Sequence, residues 1–278
     1  MNIFGLPEAE HYCRGFQNSA GPATGSLTRY VSEVLRGVGL VREGTAEFDR
    51  YRDCALREVE RLLFLAVSNY RRALDLMMPG ASSWAHVTLY YSSYFCGRAL
   101  LGLFGGWIGS KMVVEVAASE PGHQILTVNK KVETTYSGSH ERFWDLFYRA
   151  VAPLVPWINP EMRFAITPVS GMVTWQTQNR NDVNYDSFSA CRLAGNFHAT
   201  FDVRRFPTSL PGSLSTQFTV SEGLLLVTTR FVREFGLMTD ALHGLGRGKS
   251  RRAKMERLIF RDQAPRLIRR TRWRSILI

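Results

Sequence analysis

The sequence predicts a mainly α-helical protein: an up-and-down helical bundle over residues 45–244, a small β-hairpin inserted at about residues 111–135, and a basic tail over residues 245–278. Three observations support this fold class. Long segments carry apolar residues three and four positions apart, which indicates amphipathic helices. One segment alternates apolar and β-branched residues around Pro121 and Gly122, which indicates two strands joined by a tight turn. Hydrophobic residues make up 45% of the 278 residues, enough for a buried core.

The first 44 residues are rich in Gly, Ser and Pro and contain one helical candidate, Leu27–Gly37. Such a composition favours turns and loops over packed elements. We therefore expect residues 1–44 to form a loosely packed N-terminal arm.

The first long helix is predicted over Phe48–Met78. Pro79 and Gly80 end it, because proline cannot continue an α-helix and glycine favours a helix C-terminus. Arginines occupy one side of this helix, and the other side is an apolar stripe that we expect to be buried. The stripe consists of Tyr51, Ala55, Val59, Leu62, Ala66, Tyr70 and Met77.

A second helix is predicted to begin after Ser82 or Ser83, either of which can cap it, and to run to about Gly105. This helix is apolar almost all round, which is typical of a central, buried helix. Its large apolar residues are Trp84, Val87, Leu89, Tyr90, Tyr91, Tyr94, Phe95, Leu100, Leu101, Leu103 and Phe104.

The hairpin strands are predicted over Lys111–Ala117 and Gln124–Val132. A third helix follows over Glu141–Val151, with aromatic residues on its apolar side. The segment Gly171–Ala190 carries a polar hexapeptide in a helix or at its end. The last helix is predicted from Ser221 to about Leu242.

The hexapeptide is the strongest candidate for a functional site. It holds a cation, two amides, a carboxylate and a phenol around one apolar residue. In helical geometry Arg180 and Asn184 lie one turn apart, as do Asn181 and Tyr185, so these groups fall on adjoining strips of one surface. A guanidinium, amides and a phenol in that arrangement could bind a phosphate. They could equally tie a helix end to its neighbours.

The order of three segments resembles the HEPN superfamily, whose members are small up-and-down helical bundles common in bacterial toxin–antitoxin and antiviral defence systems. The segments are a long amphipathic helix, the buried run Leu89–Leu101 (Leu-Tyr-Tyr-Ser-Ser-Tyr-Phe-Cys-Gly-Arg-Ala-Leu-Leu), and the later Arg-Asn-x-x-Asn-Tyr of residues 180–185. The resemblance covers roughly Phe48–Leu242.

HEPN ribonucleases use an arginine, usually followed directly by a polar residue, and a histidine four to six residues after the arginine. The resemblance assigns Arg180 to the arginine and Asn181 to its polar neighbour, with Asn184 as a further positioning group. Tyr185 stands where the family has histidine, and tyrosine is a poorer general base than histidine at neutral pH. His140, His198 and His243 are the histidines that folding could bring to the site.

In those ribonucleases two motifs meet across a dimer, and the 2′-hydroxyl of the RNA attacks without a metal. The resemblance therefore implies a defence or toxin protein that binds RNA, as a homodimer or a subunit of a larger complex. Two activities are compatible with it: metal-independent cleavage through Arg180, and RNA binding without cleavage. No metal or other cofactor is implied. The alternative is a non-catalytic adaptor that assembles with other defence or signalling proteins.

The net charge of +11 is concentrated in the tail, where residues 245–278 hold twelve Lys and Arg against two Asp and Glu. The rest of the chain carries 23 basic and 22 acidic groups. Clustered arginines interleaved with apolar residues are typical of nucleic-acid binding. A basic helix that packs on a partner or touches an anionic membrane surface is the alternative. The candidate RNA-binding residues are Arg251, Arg252, Lys254, Arg269, Arg270 and Arg272.

Cysteine usage and hydropathy favour a soluble, cytoplasmic protein. Cys13, Cys54, Cys96 and Cys191 are widely separated, which argues against a structural zinc site and against a disulfide framework. The first ten residues lack the basic start and apolar run of a signal peptide, and no apolar stretch is long enough to span a bilayer.

Overall fold

The computed structural model describes residues 6–17, 26–76, 82–110, 112–120, 122–129, 132, 134–154, 172–186, 191, 228 and 232. Over these residues the protein is mainly helical with one small antiparallel sheet, which confirms the predicted mixture of elements. In chain order the elements are α1 (Leu6–Arg14), α2 (Leu27–Glu33), β1 (Leu40–Arg42), α3 (Ala46–Leu76), α4 (Ser82–Leu103), β2 (Trp107–Ile108), β3 (Val113–Glu120), β4 (His123–Asn129), α5 (Ser139–Val151), a 3-10 turn (Ala152–Leu154) and α6 (Trp175–Tyr185).

The chain divides into two compact units, and helices α3 and α4 each contribute residues to both. The first unit comprises Met1–Leu63, Gly97–Trp157 and Leu237–Arg251. The second unit comprises Phe64–Cys96, Ile158–Gly236 and Arg252–Ile278.

The first unit contains the sheet, whose strand order is β1-β4-β3-β2 with all neighbours antiparallel. The predicted hairpin is confirmed as β3 and β4, with Val113 paired to Asn129 at its open end. Gly122 in the connection has a φ of +83°, a backbone angle that glycine adopts without strain. The flanking strands β1 and β2 were not predicted, because three and two residues are too few to show an alternating pattern.

The N-terminal segment is packed, so the expected loose packing is wrong for its described residues. In α1 and the turn after it, Tyr12, Cys13 and Phe16 are buried, and the Cys13 thiol lies 3.7 Å from the carbonyl oxygen of Leu103. In α2 the hydroxyl of Tyr30 donates to the carbonyl oxygen of Glu47 at 3.1 Å. The segment is packed because its helices carry buried residues at helical spacing, even though its overall composition is rich in Gly, Ser and Pro.

One carboxylate joins α1 to the sheet. Glu43 accepts from His11 Nε2 at 2.8 Å with one oxygen and from the backbone N–H of Gln124 at 2.8 Å with the other. Arg52, which is buried, lies 4.0 Å from the same carboxylate and donates to Asp49 at 2.6 Å. Glu43 therefore connects α1, β4 and the beginning of α3.

Two glycines of α4 allow close helix packing inside the first unit. A Cβ atom at Gly102 would lie 2.6 Å from Val59 Cγ2 on α3. A Cβ atom at Gly97 would lie 3.2 Å from Phe143 Cζ on α5. The hydroxyl of Tyr51 on α3 donates to the carbonyl oxygen of Gly105 at 3.0 Å, which satisfies a polar atom in this core.

The two long helices lie close to their predicted limits, and the apolar stripe of α3 is buried wherever the structure describes it. The prediction of a central, buried helix is wrong for α4 at Trp84, which is 66% exposed. Tyr91, Tyr94 and Phe95 are half-buried. An apolar composition identifies a central helix, but it does not show which positions its neighbours cover.

Several predictions fall outside the described residues: Met77, the basic tail, and the predicted helix from Ser221 except for Thr228 and Val232, which are helical and buried. Within the described part of the chain, no helix combines the length and the apolar character needed to traverse a bilayer.

Candidate functional site

Helix α6 places the hexapeptide in its C-terminal half, as predicted. The start of this helix is buried through Trp175, Gln176 and Thr177. Val183 is the buried residue within the hexapeptide, so its polar neighbours are held around one apolar anchor.

Arg180 is half-buried, and two groups of the second unit hold its guanidinium. Its Nε and Nη2 atoms donate to Asn181 Oδ1 at 3.2 and 2.5 Å. Its Cζ atom lies 5.2 Å from the centre of the Tyr90 ring on α4. A guanidinium over an aromatic face is stabilised by the ring quadrupole, so Arg180 is oriented by a cation–π contact as well as by hydrogen bonds.

The charge of Arg180 is not neutralised by any carboxylate that the structure describes. The ion pairs among the described residues all involve other side chains. Both contacts of the guanidinium are with uncharged groups, Asn181 and Tyr90. Neither contact uses Nη1, so this guanidinium keeps both its positive charge and hydrogen-bond donors for a ligand.

Tyr90 is fully buried and belongs to a group of aromatic rings on α4. Its ring is stacked on Tyr94 at 6.3 Å and meets Tyr91 edge-on at 5.4 Å. Its hydroxyl lies 3.5 Å from Thr177 Oγ1 on α6. Sequence reasoning placed Tyr90 in the core but missed its role in orienting Arg180. The sequence feature that could have indicated a polar contact is a tyrosine in a helix predicted to be buried, because a buried tyrosine hydroxyl usually finds a polar partner.

The structure joins Arg180 to Asn181 and, apart from the buried Val183, leaves the rest of the hexapeptide in solvent. Asp182 and Asn184 are exposed, and Tyr185 is 81% exposed. Arg180 and Tyr185 are five positions apart, which separates them by roughly 140° around a helix. No contact in the described residues links the two side chains.

His86 lies one helical turn before Tyr90 on α4 and was not singled out from the sequence. It is 3% exposed, and burial lowers its pKa to about 4. The imidazole is therefore neutral at pH 7, with one nitrogen that donates and one that accepts. Of the three histidines considered from the sequence, His140 belongs to the first unit, and His198 and His243 lie outside the described residues.

The described residues contain no group of three His, Cys, Asp or Glu side chains arranged to hold a metal ion. Cys13, Cys54, Cys96 and Cys191 are free thiols. Burial raises the pKa of Cys13 to about 12, so this thiol is protonated and unreactive at neutral pH.

No protein-family model, no curated protein and no solved structure matches the chain. The resemblance to HEPN proteins therefore rests on the sequence motifs alone. The tail candidates lie outside the described residues and stay predictions; they are Arg251, Arg252, Lys254, Arg269, Arg270 and Arg272.

Proposed function

We propose that this chain is a HEPN-like RNA-binding protein of a bacterial defence or toxin system, with Arg180 as its principal phosphate contact. The observation that carries the proposal is the half-buried guanidinium, oriented by Tyr90 and Asn181 and not paired with a described carboxylate. A partly buried cation is normally paired, because removal from water is costly. An oriented and uncompensated cation is suited to bind a phosphate without rearrangement.

The neighbouring side chains take supporting roles in this proposal. Asn181 holds the guanidinium plane, and Asn184, one turn after Arg180, donates its amide to the phosphate or the ribose. The exposed ring of Tyr185 stacks on a base, as aromatic side chains do in single-stranded RNA recognition. The basic tail adds sequence-independent attraction to the RNA backbone.

Binding is tested with the purified full-length protein and a fluorescent single-stranded RNA. Arg180→Ala should weaken the affinity about 10-fold or more, because hydrogen bonds to a charged group contribute about 1.5–3 kcal/mol. Arg71→Ala is the matched control, since Arg71 is another half-buried arginine of the second unit. Equal affinities for both variants would contradict the proposal.

Metal-independent cleavage is the activity that the resemblance adds to binding. Total RNA incubated with the protein and EDTA should yield fragments that end in a cyclic phosphate, because the 2′-hydroxyl displaces the 5′-oxygen of the next nucleotide. Arg180→Ala should abolish these fragments. RNA that stays intact at high protein excess would limit the function to binding.

The exposed aromatic residues of the second unit favour a second candidate, a non-catalytic adaptor that forms a homodimer or joins a larger complex. Trp84 and Tyr185 are both large and exposed, and such residues are frequent at the centre of protein interfaces. In this case Trp84→Ala should disrupt an oligomer seen by light scattering, while Arg180→Ala should leave RNA affinity unchanged.

A further inference from the structure

Helix α4 carries a strip of three polar residues, His86, Tyr90 and Ser93, within the second unit. Their spacing of four and three residues places them on one face of the helix. All three are buried, and each carries a polar atom in its side chain. Polar residues on one buried face require hydrogen-bond partners.

Two members of this strip have a polar atom without a partner. Nε2 of His86 and Oγ of Ser93 are buried and form no hydrogen bond with the described residues. A buried polar atom without a partner destabilises the folded state, and most such atoms in proteins are satisfied. Trp107 Nε1 and Thr228 Oγ1 are also buried without a partner among the described residues, so such an atom alone does not mark a site. His86 and Ser93 are candidates because they share a helix face with Tyr90, which lies under Arg180.

The adjacent residue Ser92 shows that a buried serine of α4 can find a partner. Ser92 Oγ donates to the carbonyl oxygen of Ala66 on α3 at 2.7 Å. Ser92 and Ser93 are both fully buried, so they differ in hydrogen bonding and not in exposure. They form a matched pair for an experiment.

The strip meets the candidate site at its middle residue. Tyr90 lies under the Arg180 guanidinium and beside the hydroxyl of Thr177, and helical geometry places His86 and Ser93 about one turn to either side. The groups along this line are a cation, three hydroxyls and a neutral imidazole. These groups can donate hydrogen bonds, and no carboxylate is described among them. Such a set of donors suits the oxygens of a phosphate ester.

We propose that His86 and Ser93 are additional RNA-binding residues of the Arg180 site and donate to the phosphate and ribose oxygens of a bound nucleotide. This inference rests on the proposed function. Arg180 is half-exposed, so an anion reaches its guanidinium from solvent, and the same ligand reaches His86 and Ser93 when the side chains that bury them move. The ligand then supplies the partners that His86 Nε2 and Ser93 Oγ lack among the described residues.

The test compares Ser93→Ala with Ser92→Ala in the full-length protein, by urea denaturation and by affinity for single-stranded RNA. Ser93→Ala should leave the denaturation midpoint unchanged or raise it, because it removes an unsatisfied hydroxyl. It should also weaken RNA binding about 10-fold. Ser92→Ala should lower the midpoint and leave RNA affinity unchanged. A lower midpoint with unchanged affinity for Ser93→Ala would overturn the inference.

His86→Phe provides a second measurement, since the phenyl ring fills the space of the imidazole without a polar atom. It should also weaken RNA binding about 10-fold without lowering the midpoint. If Arg180→Ala weakens binding and neither strip variant does, the inference is wrong and the proposed function stands. If Arg180→Ala also has no effect, the proposed function fails and the inference fails with it.

Discussion

The guanidinium carbon of Arg180 lies 5.2 Å from the centre of the Tyr90 ring, although ninety positions separate the two residues in the sequence. The contact joins α6 to α4 inside the second unit and gives the arginine a defined orientation. Because the ring is uncharged, it positions the cation without neutralising it. Tyr90 is therefore expected to affect both stability and RNA binding.

Substitution of Tyr90 should separate the role of its ring from that of its hydroxyl. Tyr90→Phe keeps the ring under Arg180 and removes the hydroxyl that lies beside Thr177. The free energy of unfolding should therefore fall by less than about 1.5 kcal/mol, and RNA affinity should stay near wild type. Tyr90→Leu removes the ring, so it should lower the free energy of unfolding by about 2–4 kcal/mol. It should also weaken RNA binding. Urea denaturation and RNA titration measure both effects. Equal RNA affinities for the two variants would show that the ring does not orient Arg180 for binding.

Deletion of residues 245–278 should reduce both RNA affinity and its salt dependence. For single-stranded RNA, the slope of log Kd against log salt falls by about 0.7 for each phosphate that the protein no longer neutralises. Arg180→Ala in the full-length protein is the comparison, since it removes a single cation and should change the slope by about one at most. A truncated protein with an unchanged slope and affinity would exclude the tail from binding.

The stability of the second unit should fall in acid because of His86. Burial lowers the pKa of His86 from 6.5 to about 4, so the unfolded chain binds a proton more readily than the folded chain between these values. Stability is therefore greatest above pH 6.5 and declines as the pH falls towards 4, by up to roughly 3 kcal/mol. Urea denaturation at a series of pH values should show this loss in the wild type and in His123→Phe, an exposed control, and a smaller loss in His86→Phe.

Gly102→Ala should destabilise the first unit even though alanine favours helices. The new Cβ atom would lie 2.6 Å from Val59 Cγ2, and this overpacking should outweigh the gain in helix propensity of about 1 kcal/mol. We expect a net loss of about 1–2 kcal/mol in urea denaturation. Gly37→Ala, where the added atom meets nothing within 4 Å, is the control. Adding Val59→Ala to Gly102→Ala should relieve the clash, and a purely additive loss would argue against it.

Loss of the Glu43 charge should release the N-terminal helix from the sheet. Glu43→Gln weakens the contact with His11 and removes a negative charge 4.0 Å from Arg52, so we expect a loss of about 1–3 kcal/mol in urea denaturation. Glu33→Gln is the control, because Glu33 pairs with Arg29 on an exposed helix face and should cost less than about 0.5 kcal/mol. Similar losses for the two variants would show that Glu43 has no special structural role.

The local pattern of the sequence was sufficient to predict the main helices and the hairpin of this protein. The helical spacing of apolar residues predicted α3, α4 and α5, and the turn residues between two alternating segments predicted the β3–β4 hairpin. These features depend on neighbours a few positions apart. The strands β1 and β2 escaped prediction because they are only three and two residues long, and the packing of α1 escaped prediction because its partners are distant in the sequence.

The sequence by itself determined the helices α3, α4 and α5 and that the hexapeptide lies in a helix or at its end. Only the tertiary structure decided that Arg180 faces Tyr90, that Trp84 and Tyr185 face solvent, and which buried polar atoms of α4 find partners. The physical reason is the range of the interactions. Helix formation follows from contacts three and four residues apart, whereas the surroundings of a side chain depend on which distant segments pack against it.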